Sequence, residues 1–177
     1  MASLILVDEH NVPRGSVTRE VAHASPGMLH RAFSIYIFRK SGNEILIQRR
    51  SAGKLFAGLW ANTCCSHPRE GEEIVTVAPR RLEEELGFTC PLKILGKFTY
   101  QAEDPQGKGA EHEHVTILGG DIENDVTIKA NPEEVAEWKW IAVIELQKDM
   151  EKNPDHYAPW FHIGLKNILT HSNQLTN

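Results

Sequence analysis

A thiol and an imidazole stand two residues apart, Cys65 and His67, in the run Asn62-Thr-Cys-Cys-Ser-His-Pro68. A second concentration of reactive groups follows at Glu111-His112-Glu113-His114, and His23 and His30 lie upstream. Imidazole and carboxylate are ligands for zinc, manganese or iron, and three imidazoles with two carboxylates suit an octahedral site. Residues two apart on a strand share a face, so Glu111 and Glu113 point one way and His112 and His114 the other. Two carboxylates on one face repel each other unless a cation or a proton lies between them. Alone the pair reads as a solvated polar edge; with His23, His30 and His67 it reads as a metal site. Spacing does not say whether the five meet.

Cys65 follows an expected strand and precedes His67. A nearby cation or metal would lower the pKa of such a thiol and make it a usable acid or base. Cys64 would face the opposite side, and Cys90 is expected to be a small buried hydrophobe. Downstream, Glu72, Glu83, Glu84 and Glu85 surround Arg80 and Arg81 on an expected helix. Such a set usually forms a solvated helix face, but it can also hold Mg²⁺ through oxygen while phosphate oxygens fill the metal's remaining positions. Arg19, Arg49, Arg50, Lys54 and Arg81 could clamp that phosphate. Arg50 and Lys54 are the better placed, flanking a loop that runs into the cysteine strand.

The elements that must position these groups follow from periodicity. Leu4–Val7 is a short strand ended by a turn at Pro13-Arg-Gly15, and Ser16–Ala24 has no clear type. Leu29–Phe38 is almost continuously apolar, the pattern of a strand buried on both faces. Glu44–Arg50 is its hairpin partner across Ser41-Gly-Asn43. Leu59–Thr63 is a strand leading into the cysteines. Ile74, Val77, Ala78, Leu82 and Leu86 recur at helical spacing, and Gly87 ends that helix. Pro79 must kink it or mark its beginning. Strands are expected over Leu92–Tyr100, Glu113–Leu118 and Glu134–Ile141. Ala142–Lys152 and Trp160–Leu169 are expected helices, with a loop over Asn153–Pro159. Together these predict an α/β sandwich, with helices covering a mixed sheet.

Composition narrows the classes. The 177 residues, 41% hydrophobic and 24% charged, suit one domain with one substantial core. A net charge of -5 argues against a nucleic-acid binder. No apolar run approaches the roughly 18 residues a membrane helix needs. The start lacks the basic-then-apolar order of a signal peptide. Three cysteines, two adjacent, make a poor disulfide framework, which suits a cytoplasmic setting.

From about Leu4 to Trp160 the chain resembles the type I isopentenyl-diphosphate Δ-isomerases, a divergent branch of the Nudix superfamily. The residues that carry the resemblance are Asn-Thr-Cys-Cys-Ser-His-Pro, the segment from Tyr100 to Glu111-His-Glu113, and a degenerate Nudix box. In that box Ser66 stands at the leading glycine, Glu72 at the first glutamate, and Arg81 where a glutamate is usual. Arg80, Leu82, Glu84, Glu85, Gly87 and Phe88 fit.

The resemblance implies a Nudix-like α/β/α sandwich, a single domain over 1–177 with a polar tail from about residue 170. It implies Cys65 and Glu113 as catalytic thiol and carboxylate, with Tyr100 assisting proton transfer. His23, His30, His67, Glu111 and Glu113 would hold a tight divalent metal, Mn²⁺ or Zn²⁺, and Glu85 the Mg²⁺ carried in with the diphosphate. Arg19, Arg50, Lys54 and Arg81 would bind the diphosphate, and Trp160 would close over the hydrocarbon tail. The expected partner is a small molecule, isopentenyl or dimethylallyl diphosphate, and the expected state is a monomer or weak dimer that binds neither nucleic acid nor membrane. Moving a double bond one position needs a proton added at one carbon and another removed nearby, through a carbocation-like species that aromatic faces stabilise. Two rivals remain at this point. One is a Nudix pyrophosphohydrolase that leaves Cys65 idle; the other is a non-enzymatic module held together by metal.

Overall fold

A computed structural model describes residues 3–123 and 125–174, with side chains through residue 170. The chain runs β1 (Ser3–Val7), β2 (Pro13–Thr18), α1 (Arg19–His23), β3 (His30–Arg39), β4 (Glu44–Arg50), β5 (Trp60–Ala61) and β6 (Cys64–Ser66). It continues through α2 (Ile74–Leu86), β7 (Lys93–Glu103), β8 (Ala110–Ile122), β9 (Val135–Ala142), α3 (Val143–Lys152), a 3₁₀ turn (Pro154–His156) and α4 (Pro159–Gln174). No described helix is long and apolar enough to cross a membrane.

The strands form one mixed, branched sheet with β3 at its hub. β3 runs parallel to β8 from His30 opposite Glu113 to Arg39 opposite Ile122. Its other edge takes β6 antiparallel, with Phe33 opposite Ser66 and Ile35 opposite Cys64. Alternation along β3 divides the interior in two. Phe33, Ile35 and Ile37 face α2 and pack with Cys64, Leu82 and Leu86. Tyr36 and Phe38 face the other way, into Ile45, Ile47, Val115, Ile117, Phe161 and Leu165. Both faces are covered, as the unbroken apolar run predicts, and the α/β layering is as expected.

Several elements differ from their sequence reading. The β3–β4 hairpin pairs only Phe38 with Ile45 and Arg39 with Glu44. Beyond that, β4 diverges and pairs with β9 from Glu44–Ala142 to Arg50–Val135. This opens the gap that β5 and β6 enter. The expected Leu59–Thr63 strand breaks at Asn62–Thr63, because Thr63 bonds through its side chain. Its Oγ1 donates to Leu46 O at 2.7 Å and accepts from Ile37 N at 2.9 Å. Ser16–Ala24 is the end of β2 followed by α1, whose first turn Thr18 caps by accepting from Val21 N at 3.4 Å.

Pro79 lies inside α2, which begins at Ile74, so it does not mark the helix start. Glu72 lies outside the helix and not in its first turn. Gly87 ends α2 with φ +77, and a Cβ there would come within 2.6 Å of the Lys129 Cβ. The Asn153–Pro159 loop contains the 3₁₀ turn, and α4 runs through the expected polar tail to Gln174. The first two residues and the tail's last three, 175–177, lie outside the described residues.

Candidate active site and metal centre

Sheet register gathers the histidines. His30 opens β3 opposite Glu113, and β6 runs antiparallel to β3, so the chain leaving Ser66 delivers His67 to the same end. His23 arrives from the end of α1. Gly109 lets the β7–β8 turn close on it, since a Cβ there would meet His23 O at 2.5 Å. The donor atoms of His23, His30, His67, Glu111 and Glu113 all lie within 4.8 Å of one another. All five expected ligands meet.

The spacings within this cluster are 2.7 Å for His67 Nε2 to Glu113 Oε1, 2.9 Å for His23 Nε2 to Glu111 Oε2, 3.2 Å for His30 Nε2 to His67 Nε2 and 3.9 Å for His30 Nε2 to Glu111 Oε2. Ligand bonds of about 2.1 Å put adjacent octahedral donors about 3.0 Å apart and opposite ones about 4.2 Å apart. The shorter spacings are those of neighbouring donors on one cation, while the wider ones, 3.6 Å for His30 Nε2 to Glu113 Oε1 among them, would adjust on binding. His30 Nδ1 lies 2.7 Å from Met28 O. A carbonyl only accepts, so Nδ1 carries a proton, and with a cation in the cluster Nε2 would offer it a lone pair. His23 Nε2 and Glu111 Oε2 face each other at 2.9 Å, buried and outside hydrogen-bond geometry, as two ligands of one cation would. The cluster could hold a metal.

Burial raises the Glu113 carboxyl, but hydrogen bonds from His30 and His67 outweigh it and hold the group well below the usual carboxylate range. The other oxygen, Oε2, accepts from Tyr100 OH at 2.8 Å. Burial and then the Glu113 charge push the Tyr100 hydroxyl well above its ordinary value. At Cys65 a nearby cation does lower the thiol, as expected, but burial is the larger effect. Burial pushes its thiol up to about 11, and the Arg50 charge offsets only part of that. The sulfur is therefore a neutral thiol, 3.1 Å from Asn62 Oδ1 and 3.5 Å from Ser34 Oγ. Cys64 faces the opposite core, fully buried.

One cavity is lined by Cys65, His67, Tyr100, Glu111, Glu113 and Trp160, with Arg19, Arg50, Lys54 and Arg81 around it. Thus every residue that the resemblance implied as catalytic or substrate-contacting lines the same space. Arg50 is buried, donates to Leu55 O at 2.7 Å, and lies 4.9 Å from the Trp160 ring centroid. Arg81 donates through Nε to Ser66 Oγ at 3.0 Å and pairs with Glu85 at 2.7 Å. Trp160 sits in the first turn of α4, packed on Phe56 and Tyr100 at ring separations of 5.2 and 5.7 Å.

Three expectations fail to reach the cavity. Arg49 is exposed and bonds Gly58 O at 2.8 Å, because it follows Gln48 and precedes Arg50 on a strand whose faces alternate. Glu72 accepts from Arg69 N and pairs with Arg80, both at the surface. Glu85 is buried behind Arg81, not on the lining, and burial raises its carboxyl above its ordinary value.

Sequence reasoning missed Glu134, which does line the cavity, ion-paired to Lys54 and 3.3 Å from Arg81. It stood in the sequence only as the first residue of the expected Glu134–Ile141 strand. It also missed Asn62, although the residue stands in the signature run.

A NUDIX domain model matches residues 28–161. Among curated proteins the chain is 41% identical to the isopentenyl-diphosphate Delta-isomerase of Halorhodospira halophila over 162 residues, 91% of each chain. It is 43% identical to isopentenyl-diphosphate Delta-isomerase 2 of Photorhabdus laumondii over 159 residues, 89% of this chain and 87% of that one. Among solved structures it superposes on DR0079 of Deinococcus radiodurans with TM-score 0.67 at 20% identity, covering 85% of this chain and 90% of that one. The MutT protein of Methanosarcina mazei Go1 gives 0.64 at 18%, covering 81% and 95%. Fold and matched domain define the class, a NUDIX protein. Within that class the chain belongs to the isopentenyl-diphosphate Delta-isomerase family.

Proposed function

We propose that this protein interconverts isopentenyl and dimethylallyl diphosphate, acting as a single domain in the cytoplasm on a free small molecule. The observation that carries the reading is the convergence of Cys65 and Glu113 on one cavity roofed by Trp160 and flanked by four cationic side chains. Arg19, Arg50, Lys54 and Arg81 bind the diphosphate. The five-carbon tail then lies against Tyr100 and Trp160.

As the site stands, the thiol is protonated and the carboxylate ionised, so the pair holds one transferable proton. In the direction that starts from this state, the Cys65 S–H bond breaks and its proton adds to one end of the alkene π bond. The positive charge falls on the tertiary carbon. Glu113, steadied by Tyr100, removes a proton from the carbon on the other side, and the electrons of that C–H bond form the shifted double bond. The reverse direction exchanges the two roles. The faces of Trp160 and Tyr100 stabilise the cation, and the buried indole keeps out water that would trap it.

His23, His30, His67, Glu111 and Glu113 hold a divalent cation, Mn²⁺ or Zn²⁺, which supplies a fixed charge beside Glu113. Glu85 is paired to Arg81 at 2.7 Å, so it would serve as an oxygen ligand to Mg²⁺ accompanying the diphosphate only once substrate draws Arg81 off it.

Proton NMR of isopentenyl diphosphate with Mg²⁺ in D₂O, wild type beside Cys65→Ala, tests this. Deuterated dimethylallyl diphosphate formed by wild type and lost in the variant is the expected result. Phosphate release with no isomer would replace the reading with a hydrolase.

A further inference from the structure

Glu134 stands where an anionic substrate would be expected to bind. Its Oε2 is ion-paired to Lys54, and its Oε1 lies 3.3 Å from Arg81 Nη2. The backbone fixes this placement. Glu134 N donates to Asn131 O at 3.0 Å, its carbonyl accepts from Ser51 N at 3.2 Å, and Asn131 N donates to Glu85 O at 2.8 Å. The segment is thus tied both to the Lys54 loop and to the helix that carries Arg81.

Arg81 does not need Glu134 to hold its position, since Ser66, Glu84 and Glu85 already fix the guanidinium. With Glu134 added, three carboxylates face the two cations Lys54 and Arg81. A diphosphate seeking these N–H donors meets both a competitor for them and a local excess of negative charge.

We propose that Glu134 is a resident counter-ion that occupies the diphosphate clamp and must be displaced by substrate. It makes binding conditional on a cation that accompanies the diphosphate, because bare diphosphate cannot offset the released carboxylate. Adding an unfavourable term against the wrong ligand is a general route to selectivity. This inference rests on the reading that the cavity takes a diphosphate.

Titration calorimetry of inorganic pyrophosphate into the metal-loaded protein, with and without added Mg²⁺, tests it. Glu134→Gln keeps the shape and removes the charge. It should bind pyrophosphate roughly tenfold more tightly without added Mg²⁺, and the gain from Mg²⁺ should shrink, as expected when a charge opposing the ligand is removed. Glu84→Gln removes a charge from the same arginine but outside the cavity, and should change affinity by less than about twofold. Equal or weaker binding by Glu134→Gln would overturn the proposal and make the residue a positioning group for Lys54. Equal tightening in Glu84→Gln would also overturn it, leaving only a long-range charge effect. If wild type binds no pyrophosphate even with Mg²⁺, the diphosphate reading itself fails; wild-type binding with an unaltered Glu134→Gln sinks the counter-ion alone.

Discussion

Trp160 donates its indole N–H to Asn62 Oδ1 at 3.1 Å, and the Cys65 thiol shares that oxygen at the same distance. The amide cannot turn over, because Nδ2 donates to Ile35 O at 3.1 Å and to Cys64 O at 2.9 Å. One fully buried side chain therefore sets the thiol on the β5–β6 segment against the indole on α4. Asn62→Ala would leave the buried indole N–H without its acceptor, at a cost of about 1–3 kcal/mol before relaxation, and would take one donor from each of the two carbonyls. The variant should show a lower urea midpoint, a reduced kcat with KM little changed, and a shifted indole ¹⁵N–¹H resonance for Trp160. An unmoved indole resonance would show that the bond is not made in solution.

How much of this was legible beforehand divides by range. His23, His30, His67, Glu111 and Glu113 were identifiable by type, and the alternation on β8 put both carboxylates on one face. That all five meet depends on the parallel register of β3 with β8, a long-range pairing that no local pattern encodes. Gly87 was readable because a helix end needs positive φ there. The Asn62–Thr63 break was not, since a side-chain hydroxyl replaces a ladder hydrogen bond. Glu134 carries no periodic or motif signal at all; only the fold brings it to Lys54. The net rise of the Cys65 thiol was not readable, because burial outweighs Arg50 and burial is a tertiary property.

Metal removal should separate an enzyme from a metal-stapled module. The two apolar cores hold the sheet from both faces without help from the histidine cluster. Dialysis against a chelator should therefore abolish isomerisation while far-UV dichroism persists, with a lower melting temperature because a ligand that binds only the folded state has been withdrawn. Mn²⁺ or Zn²⁺ should restore both, monitored by elemental analysis, and Glu111→Gln should bind the metal more weakly. Global unfolding on chelation would favour the structural module instead.

Gly164 is fixed by Tyr36. A Cβ at that position would lie 1.9 Å from the Tyr36 hydroxyl, which is itself buried and without a hydrogen-bond partner. Gly164→Ala should cost about 1–3 kcal/mol, the usual range for overpacking. Tyr36→Phe removes an unsatisfied hydroxyl and should be neutral or stabilising. Combined, the two changes should recover part of the loss in a double-mutant cycle read by urea unfolding, since the ring carbon that bore the hydroxyl still lies 2.8 Å from the new Cβ. Simple additivity would mean that the helix backs away from β3 rather than meeting that hydroxyl.

Acid should loosen the approach to Trp160 by a route that does not involve the metal cluster. Asp149 accepts from the Tyr157 hydroxyl and from Asn153 Nδ2 at 2.9 Å, and these bonds, Tyr157 first, hold its carboxyl below the ordinary range. Tyr157 bridges to Trp60, and Ala158 N donates to Trp60 O at 2.9 Å, which sets the start of α4. A carboxyl depressed in the folded state stabilises above its unfolded pKa of about 3.9, and that contribution is lost as pH falls through the folded value. Asp149→Asn should therefore unfold at lower urea than wild type at neutral pH. The gap should narrow as pH falls below that unfolded value and close only once pH has passed below the depressed folded one, where the protonated wild-type group resembles the amide. A gap that stayed constant with pH would show that the Tyr157 bond does not depend on the charge of Asp149.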